Sequence, residues 1–310
     1  MNWHGKRYYS LDSYFKNTFG KKIYKVSLNG GFSCPNRDGT IGTGGCIFCS
    51  EGGSGDFSSN PSLSITKQID EGISLVAHKN NSGSYLAYFQ AFTNTYAPVE
   101  KLRSLFTEAL NHPAIMGLSI GTRPDCLPEP VLDLLEELNQ KKPIFIELGL
   151  QTIHKETADF IHRGYPLSTF EIAVENLHAR NINIVTHLIL GLPGETNEMI
   201  LESIHYLNNL PIDGIKLSLL HVLKNTKLGT LYEKEPFKIY TFEEYVDLVI
   251  TCIQHLRSDI VIHRFTGDGP RELLIAPKWS LHKKKVLNQV NHQLKEHNVY
   301  QGDLHSSQII

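Results

Sequence analysis

"INIVTHLILGLPGETNEMILESIHYLNNL", residues 182–210, holds one whole structural unit. Residues 182–190 form a short apolar run rich in β-branched side chains, the pattern of a buried strand. "GLPGET" interrupts the run with turn residues, and from Asn197 onward apolar positions return at helical spacing. The same order of strand, turn and helix recurs on both sides. "IYKVSLN" (23–29), "SYLAYFQAF" (84–92), "IMGLSIGT" (115–122), "IFIELGL" (144–150) and "GIKLSLLHVL" (214–223) read as strands. "APVEKLRSLFTEALNH" (97–112), "PEPVLDLLEELNQ" (128–140) and "STFEIAVENLHARN" (168–181) read as the helices between them. Strands joined by helices of this length pair in parallel through right-handed crossovers. The expectation is an α/β protein, a partial (β/α)6 TIM-like barrel with a parallel sheet and short N- and C-terminal extensions.

A second stretch sets the chemistry. "FSCPNRDGTIGTGGCIFCS" (32–50) follows the first strand and places Cys34, Cys46 and Cys49 among Gly, Pro, Asn and Asp. In barrels of this kind, working groups sit in loops at the carboxyl ends of the strands. A structural zinc takes four ligands, usually as two close pairs, and the fourth is missing here. Cys126 and Cys252 lie far away without a close partner, as small core residues do. Three cysteines suit a 4Fe–4S cluster in which one iron keeps an open position.

With 41% hydrophobic and 20% charged residues in 310, the chain has ordinary globular composition. It contains no apolar run of membrane-spanning length and no apolar signal core, so a cytoplasmic protein without a membrane partner is expected. The net charge of −2 gives no global reason for nucleic-acid binding, yet the ends are basic. Up to residue 25, Lys6, Arg7, Lys16, Lys21, Lys22 and Lys25 face the single acid Asp12, and "KWSLHKKKVLNQVNHQLKEHN" (278–298) lies near the other end. Such clusters track phosphates or simply form a solvated face.

The loop "CPNRDGTIGTGGCIFC" (34–49) resembles the cluster loop of the radical S-adenosylmethionine (SAM) superfamily, with a first gap of eleven residues and an aromatic, Phe48, before the last cysteine. "YFQAFTNTY", "GTRPDCL", "ELGLQT" with "HRGY", and "LILGLPGET" follow in the order of its coproporphyrinogen-oxidase-like and Elongator-like branches. More narrowly, "FSCPNRDG", "GGCIFC" and "GTRPDCLP" resemble a bacterial subfamily implied in maturing the tRNA wobble uridine, in which a carboxymethylaminomethyl group becomes aminomethyl. The resemblance implies a radical SAM core over 20–265, between an N-terminal extension (1–19), a C-terminal extension packing on the barrel (266–302) and a disordered tail (303–310).

It further implies that Cys34, Cys46 and Cys49 hold the cluster, which reductively cleaves SAM to a 5′-deoxyadenosyl radical. A flavodoxin- or ferredoxin-like donor would supply the electron, and tRNA would be the substrate. Asn94 and Thr95, with Thr93, stand where similar enzymes face the SAM amine. Gln151 and Arg163 match positions that touch the ribose and the carboxylate, and Leu192 in "GLPGE" would border the adenine. Arg123 in "GTRPD" either contacts the ligand or pairs with Asp125. Cys126 reads as structural, and His187 and His221 as core hydrogen-bonders or substrate contacts. Asp268 and Arg271 read as a lid or substrate contact. The competing readings are a radical SAM enzyme acting on a small metabolite and a non-catalytic metal-binding module that recognises RNA.

Overall fold

In the computed structural model, residues 3–53, 55, 58–79, 82–267 and 269–305 are described. Nine strands occur among them: β1 (Tyr24–Leu28), β2 (Tyr85–Phe89), β3 (Ile115–Thr122), β4 (Ile144–Gln151), β5 (Asn183–Leu190), β6 (Gly214–Leu219), β7 (Val222–Leu223), β8 (Val261–Arg264) and β9 (Leu274–Ala276). Seven of them form one parallel sheet in the order β1-β2-β3-β4-β5-β6-β8, which curls into an open half-barrel. The sequence reading supplied six of the seven. It missed "VIHR" of β8, where two polar residues break the apolar pattern. It also ran β6 and β7 together, whereas Val222–Leu223 turns away to pair antiparallel with β9.

The helices cover the outer face because their apolar residues recur every three or four positions. Val99–Asn111 buries Leu102, Phe106, Ala109 and Leu110, and Asn197–Asn208 buries Ile200, Ile204 and Leu207. The Thr196 hydroxyl caps the latter by accepting from the Met199 N–H, and Thr241 and Glu244 cap Phe242–His255 reciprocally. Cys252 lies in the buried face of that last helix, among core side chains.

Inward-facing residues alternate along each strand, so the lumen is built in layers. Leu86, Phe145 and Val185 form an apolar layer at the amino ends of the strands, packed with Phe15 and Ile23. The helix Leu11–Phe19 therefore plugs that end of the barrel. Ahead of it, Ser10 bridges to Ile262 and the Tyr9 carbonyl accepts from the Ile262 N–H, so the N-terminal segment pairs with β8. At the other terminus, the helix Lys283–Glu296 buries Val286, Val290 and Leu294. Of the segment expected to be a disordered tail, residues 303–305 are ordered, since the Leu304 N–H donates to the Gln254 carbonyl at 2.9 Å. Residues 306–310 lie outside the described residues.

Candidate active site

The cysteine loop closes over the carboxyl ends of the strands by backbone pairing to three separate segments. The Ile47 N–H donates to the Ile161 carbonyl (3.1 Å), the Leu228 N–H to the Ile47 carbonyl (2.9 Å), and the Thr93 N–H to the Ser33 carbonyl (3.1 Å). Asn36 ties the loop inward, its Nδ2 donating to the His162 carbonyl at 2.6 Å and lying 3.6 Å from Cys46 Sγ. Arg37 binds the Ser50 carbonyl and sits 5.5 Å from the Phe92 ring. Gly45 lies beside it at φ +79°, where an added Cβ would come within 2.8 Å of Arg37 Nε. Only glycine meets both conditions.

Cys34, Cys46 and Cys49 line one cavity of about 820 Å³ that runs down into the barrel, and all five cysteines are thiols. The Cys49 thiol beside it and burial hold Cys46 well above the usual thiol range, while Arg123 pulls the other way. Against its burial, Asp125 and, more weakly, Cys34 raise Arg123 above its ordinary value. As they stand, no three His, Cys, Asp or Glu side chains among the described residues form a set that could hold a metal ion. The donor set still fits a cluster ligated by three thiolates: three thiols share one cavity wall, with a guanidinium placed to offset their charge.

The two arginines of the sequence reading are used by the chain itself. Arg123 directs its fork at Asp125, Nε to Oδ1 at 2.9 Å and Nη2 to Oδ2 at 2.7 Å, and Nη1 donates to the Arg163 carbonyl. The pairing considered as the alternative to ligand contact is thus present. Arg163 donates to the carbonyls of Leu150, Thr152 and Tyr165, so the fork expected to meet a ligand carboxylate is largely occupied by backbone. Both guanidiniums sit 4.8 Å from the Tyr165 ring. Together they brace the segment 149–165 under the cysteine loop. Both still line the cavity, as does Gln151, which stands at φ +69° at a bulge in β4.

Thr93 lines the cavity, whereas Asn94, Thr95 and Leu192 are buried behind its wall. Asn94 Nδ2 donates to the Gly121 carbonyl, and its Oδ1 has no partner among the described residues. Thr95 is held by Thr122 and the Cys126 carbonyl, both at 2.6 Å. Leu192 packs in a small apolar cluster with Ile47, Ile161 and Ile189. Thr95 and Leu192 are occupied by internal bonds or packing, and Asn94 by its Nδ2 alone. Burial, with Asp125 next to it, pushes the Cys126 thiol up to about 12, which leaves it unreactive. His221 meets Ser280 Oγ at 3.1 Å on the cavity rim. Asp268 lies outside the described residues, and Arg271 is exposed.

Below the thiols lies a ring of polar side chains, one from each strand of the sheet, Lys25, Tyr88, Ser119, Glu147, His187, Lys216 and Arg264, of which the sequence reading had placed only His187 as a core hydrogen-bonder or substrate contact. Glu147, fully buried, is its centre. Its Oε1 accepts from Lys25 Nζ (2.6 Å) and Ser119 Oγ (2.5 Å), and its Oε2 from His187 Nε2 (2.9 Å) and Lys216 Nζ. The Lys25 and Lys216 ammoniums sit 4.7 and 4.6 Å from the Tyr88 ring. Burial alone would raise Glu147, but Lys216 and Lys25 more than offset it and hold the carboxyl well below the usual range. Burial lowers His187 to about 4, assisted by Lys216 and opposed by Glu147. Within the sequence, the only signal was a charged residue inside an apolar run, as in "IFIELGL" and "GIKLSLL".

A half-barrel of parallel strands, with three thiols over its open end and a polar lumen beneath, defines a class of enzyme that works on a ligand held between loop and barrel. The chain belongs to the radical SAM superfamily, and its cofactors are a 4Fe–4S cluster and SAM. The superfamily pattern matches residues 37–207, and the Radical_SAM C-terminal domain matches 212–296. The Bacillus subtilis protein YtqA is 43% identical over 96% of this chain and 92% of its own. A solved structure of Methanocaldococcus infernus Elp3 shares the fold at TM-score 0.68 and 16% identity, over 90% of this chain and 64% of that one. The tRNA uridine(34) acetyltransferase of Methanocaldococcus jannaschii is 27% identical over 52% of this chain and 30% of its own length. Among the described residues no helix is long and apolar enough to cross a membrane.

Proposed function

We propose that this radical SAM enzyme acts on a tRNA wobble uridine, converting a carboxymethylaminomethyl side chain to aminomethyl. The observation that carries the reading is the cavity mouth. Lys283 is on its lining and Lys284 and Lys285 are exposed beside it, a basic rim above a pocket of about 820 Å³. A wobble base lies in a single-stranded loop and can be splayed into such a pocket at modest cost. The partial similarity to an enzyme named for uridine 34 of tRNA points the same way. The grip at the N-terminal end changes, because Lys25 sits in the lumen and Lys6, Lys16 and Lys22 flank the plugged end of the barrel. Phosphate binding is assigned to the mouth lysines.

Cys34, Cys46 and Cys49 would hold the cluster, which would supply reducing chemistry toward SAM with an electron from a flavodoxin- or ferredoxin-like donor. The chain's part is to brace the segment 149–165 beneath the loop through Arg123 and Arg163 and to exclude water with Phe48, Phe92 and Ile189 on the cavity wall. The overall reaction balances. Water cleaves the carboxymethyl C–N bond to release glyoxylate, a loss of two electrons from the substrate. Conversion of one SAM to methionine and 5′-deoxyadenosine takes up two electrons, one from the donor and one with the substrate's hydrogen atom, and the substrate's second electron replaces the one the donor supplied. The test incubates anaerobically reconstituted enzyme, SAM and reductant with tRNA from cells lacking this protein, then weighs the nucleosides. Aminomethyluridine is expected, and unchanged nucleosides beside SAM cleavage would remove tRNA as the substrate. Neutralising Lys283, Lys284 and Lys285 should lower the slope of log affinity against log salt by up to about one for each phosphate left without its lysine.

A further inference from the structure

We infer that the floor of the barrel is an oxyanion site that receives a carboxylate or phosphate group of the substrate, held by Lys25, Lys216 and Arg264. The inference rests on the reading that this cavity takes the substrate, not on that substrate being tRNA. Three basic side chains converge on the floor, and among the described residues Glu147 is the sole acid lining the cavity. The two lysines are joined to it directly, whereas Arg264 reaches only the Ser218 hydroxyl, at 3.1 Å. Arg264 Nε and His263 Nδ1 are buried without a hydrogen-bond partner among the described residues, and both residues line the cavity. Gathering more cations than anions around one lumen is costly, and a buried guanidinium N–H without an acceptor adds to that cost. One bound oxyanion relieves both.

The register supports a built site. His187, Lys216 and Arg264 are direct neighbours across β5, β6 and β8, so their side chains enter the lumen at one level. Burial, with Lys25 and Arg264 beside it, holds the Lys216 ammonium well below the ordinary value despite Glu147. The arginines nearer the thiols do not serve the floor, because Arg123 is paired with Asp125 and Arg163 with carbonyls. Ile189 and Ser218 lie in the inward layer next above the floor, about 7 Å along the strands. An acidic group anchored on the floor therefore places the neighbouring carbon atoms of the substrate in that layer, facing the cysteine loop.

The test needs no turnover. The full-length chain, reconstituted anaerobically with iron and sulfide and without SAM, is unfolded thermally in increasing acetate or inorganic phosphate at constant ionic strength set by chloride. A saturable rise in the midpoint with at least one anion is expected, and the tighter of the two identifies the group as carboxylate or phosphate. Arg264→Gln and Lys25→Met should each raise the apparent dissociation constant at least about tenfold, while Lys234→Gln on the outer surface should not. Arg264 is only partly buried, so its variant decides the matter if Lys25→Met does not fold. No saturable rise with either anion, or a rise that Arg264→Gln leaves intact, overturns the inference. Anion binding without any tRNA product would remove the tRNA reading alone, and tRNA product without anion binding would remove the floor site alone.

Discussion

Residues 32–50 bring three thiols to the mouth of the barrel on one continuous stretch, whereas the floor takes single side chains from seven strands spread over residues 25–264. The loop has little regular structure and is fixed by hydrogen bonds to its neighbours, with glycine where a side chain would collide. The floor has no loop at all; it is held by sheet register. Each region is therefore vulnerable in its own way. Loop side chains are replaceable for folding but not for chemistry, while floor side chains carry charge balance for the fold itself.

The contrast between mouth and floor would fail most visibly at the thiols. Cys34→Ala, Cys46→Ala and Cys49→Ala should each lose SAM cleavage completely, while Cys126→Ala and Cys252→Ala keep most of the iron. Iron content and 5′-deoxyadenosine formation measure this; a loop variant that stays fully loaded would end the ligand assignment. Glu147→Gln comes next. It removes the carboxylate between two ammoniums, and the unfolding free energy in denaturant should fall by about 3–5 kcal/mol. A cost below that of an exposed substitution would mean that Glu147 does not hold the two ammoniums in place.

A pH series is the third lever. His187 is lowered to about 4 in the folded chain, so between its unfolded value near 6.5 and 4 the unfolded chain binds the extra proton. Stability should therefore fall as pH drops through that window, by about 3 kcal/mol in total from this residue. His187→Gln, which keeps a donor toward Glu147, should flatten the profile between those limits; an unchanged slope would place the acid sensitivity elsewhere. The smallest effect is expected at Arg163. Arg163→Lys keeps the charge but cannot reach three carbonyls in fixed directions, so stability should drop by about 2 kcal/mol with SAM affinity little altered. A selective loss of SAM binding at unchanged stability would restore Arg163 to the ligand.

The order of strands and helices and the trio of thiols were legible along the chain alone. Both are local: a strand shows in consecutive apolar residues, a helix in its three-to-four spacing, and the cysteines fall within sixteen residues of one another. The short β8 escaped because four residues with His263 and Arg264 among them carry too weak a pattern. Which charged residues face inward was settled only by the folded sheet. Lys25 reads with the surface lysines along the chain but meets Glu147, 122 residues later, in the lumen. Arg163 reads as a carboxylate fork but finds backbone carbonyls first. For Lys25 the partner is set by strand register and by how far the sheet curls, and a one-residue change of register would turn Lys25, Glu147 and Lys216 to the opposite face; for Arg163 it is set by the turn that folds back onto the end of β4.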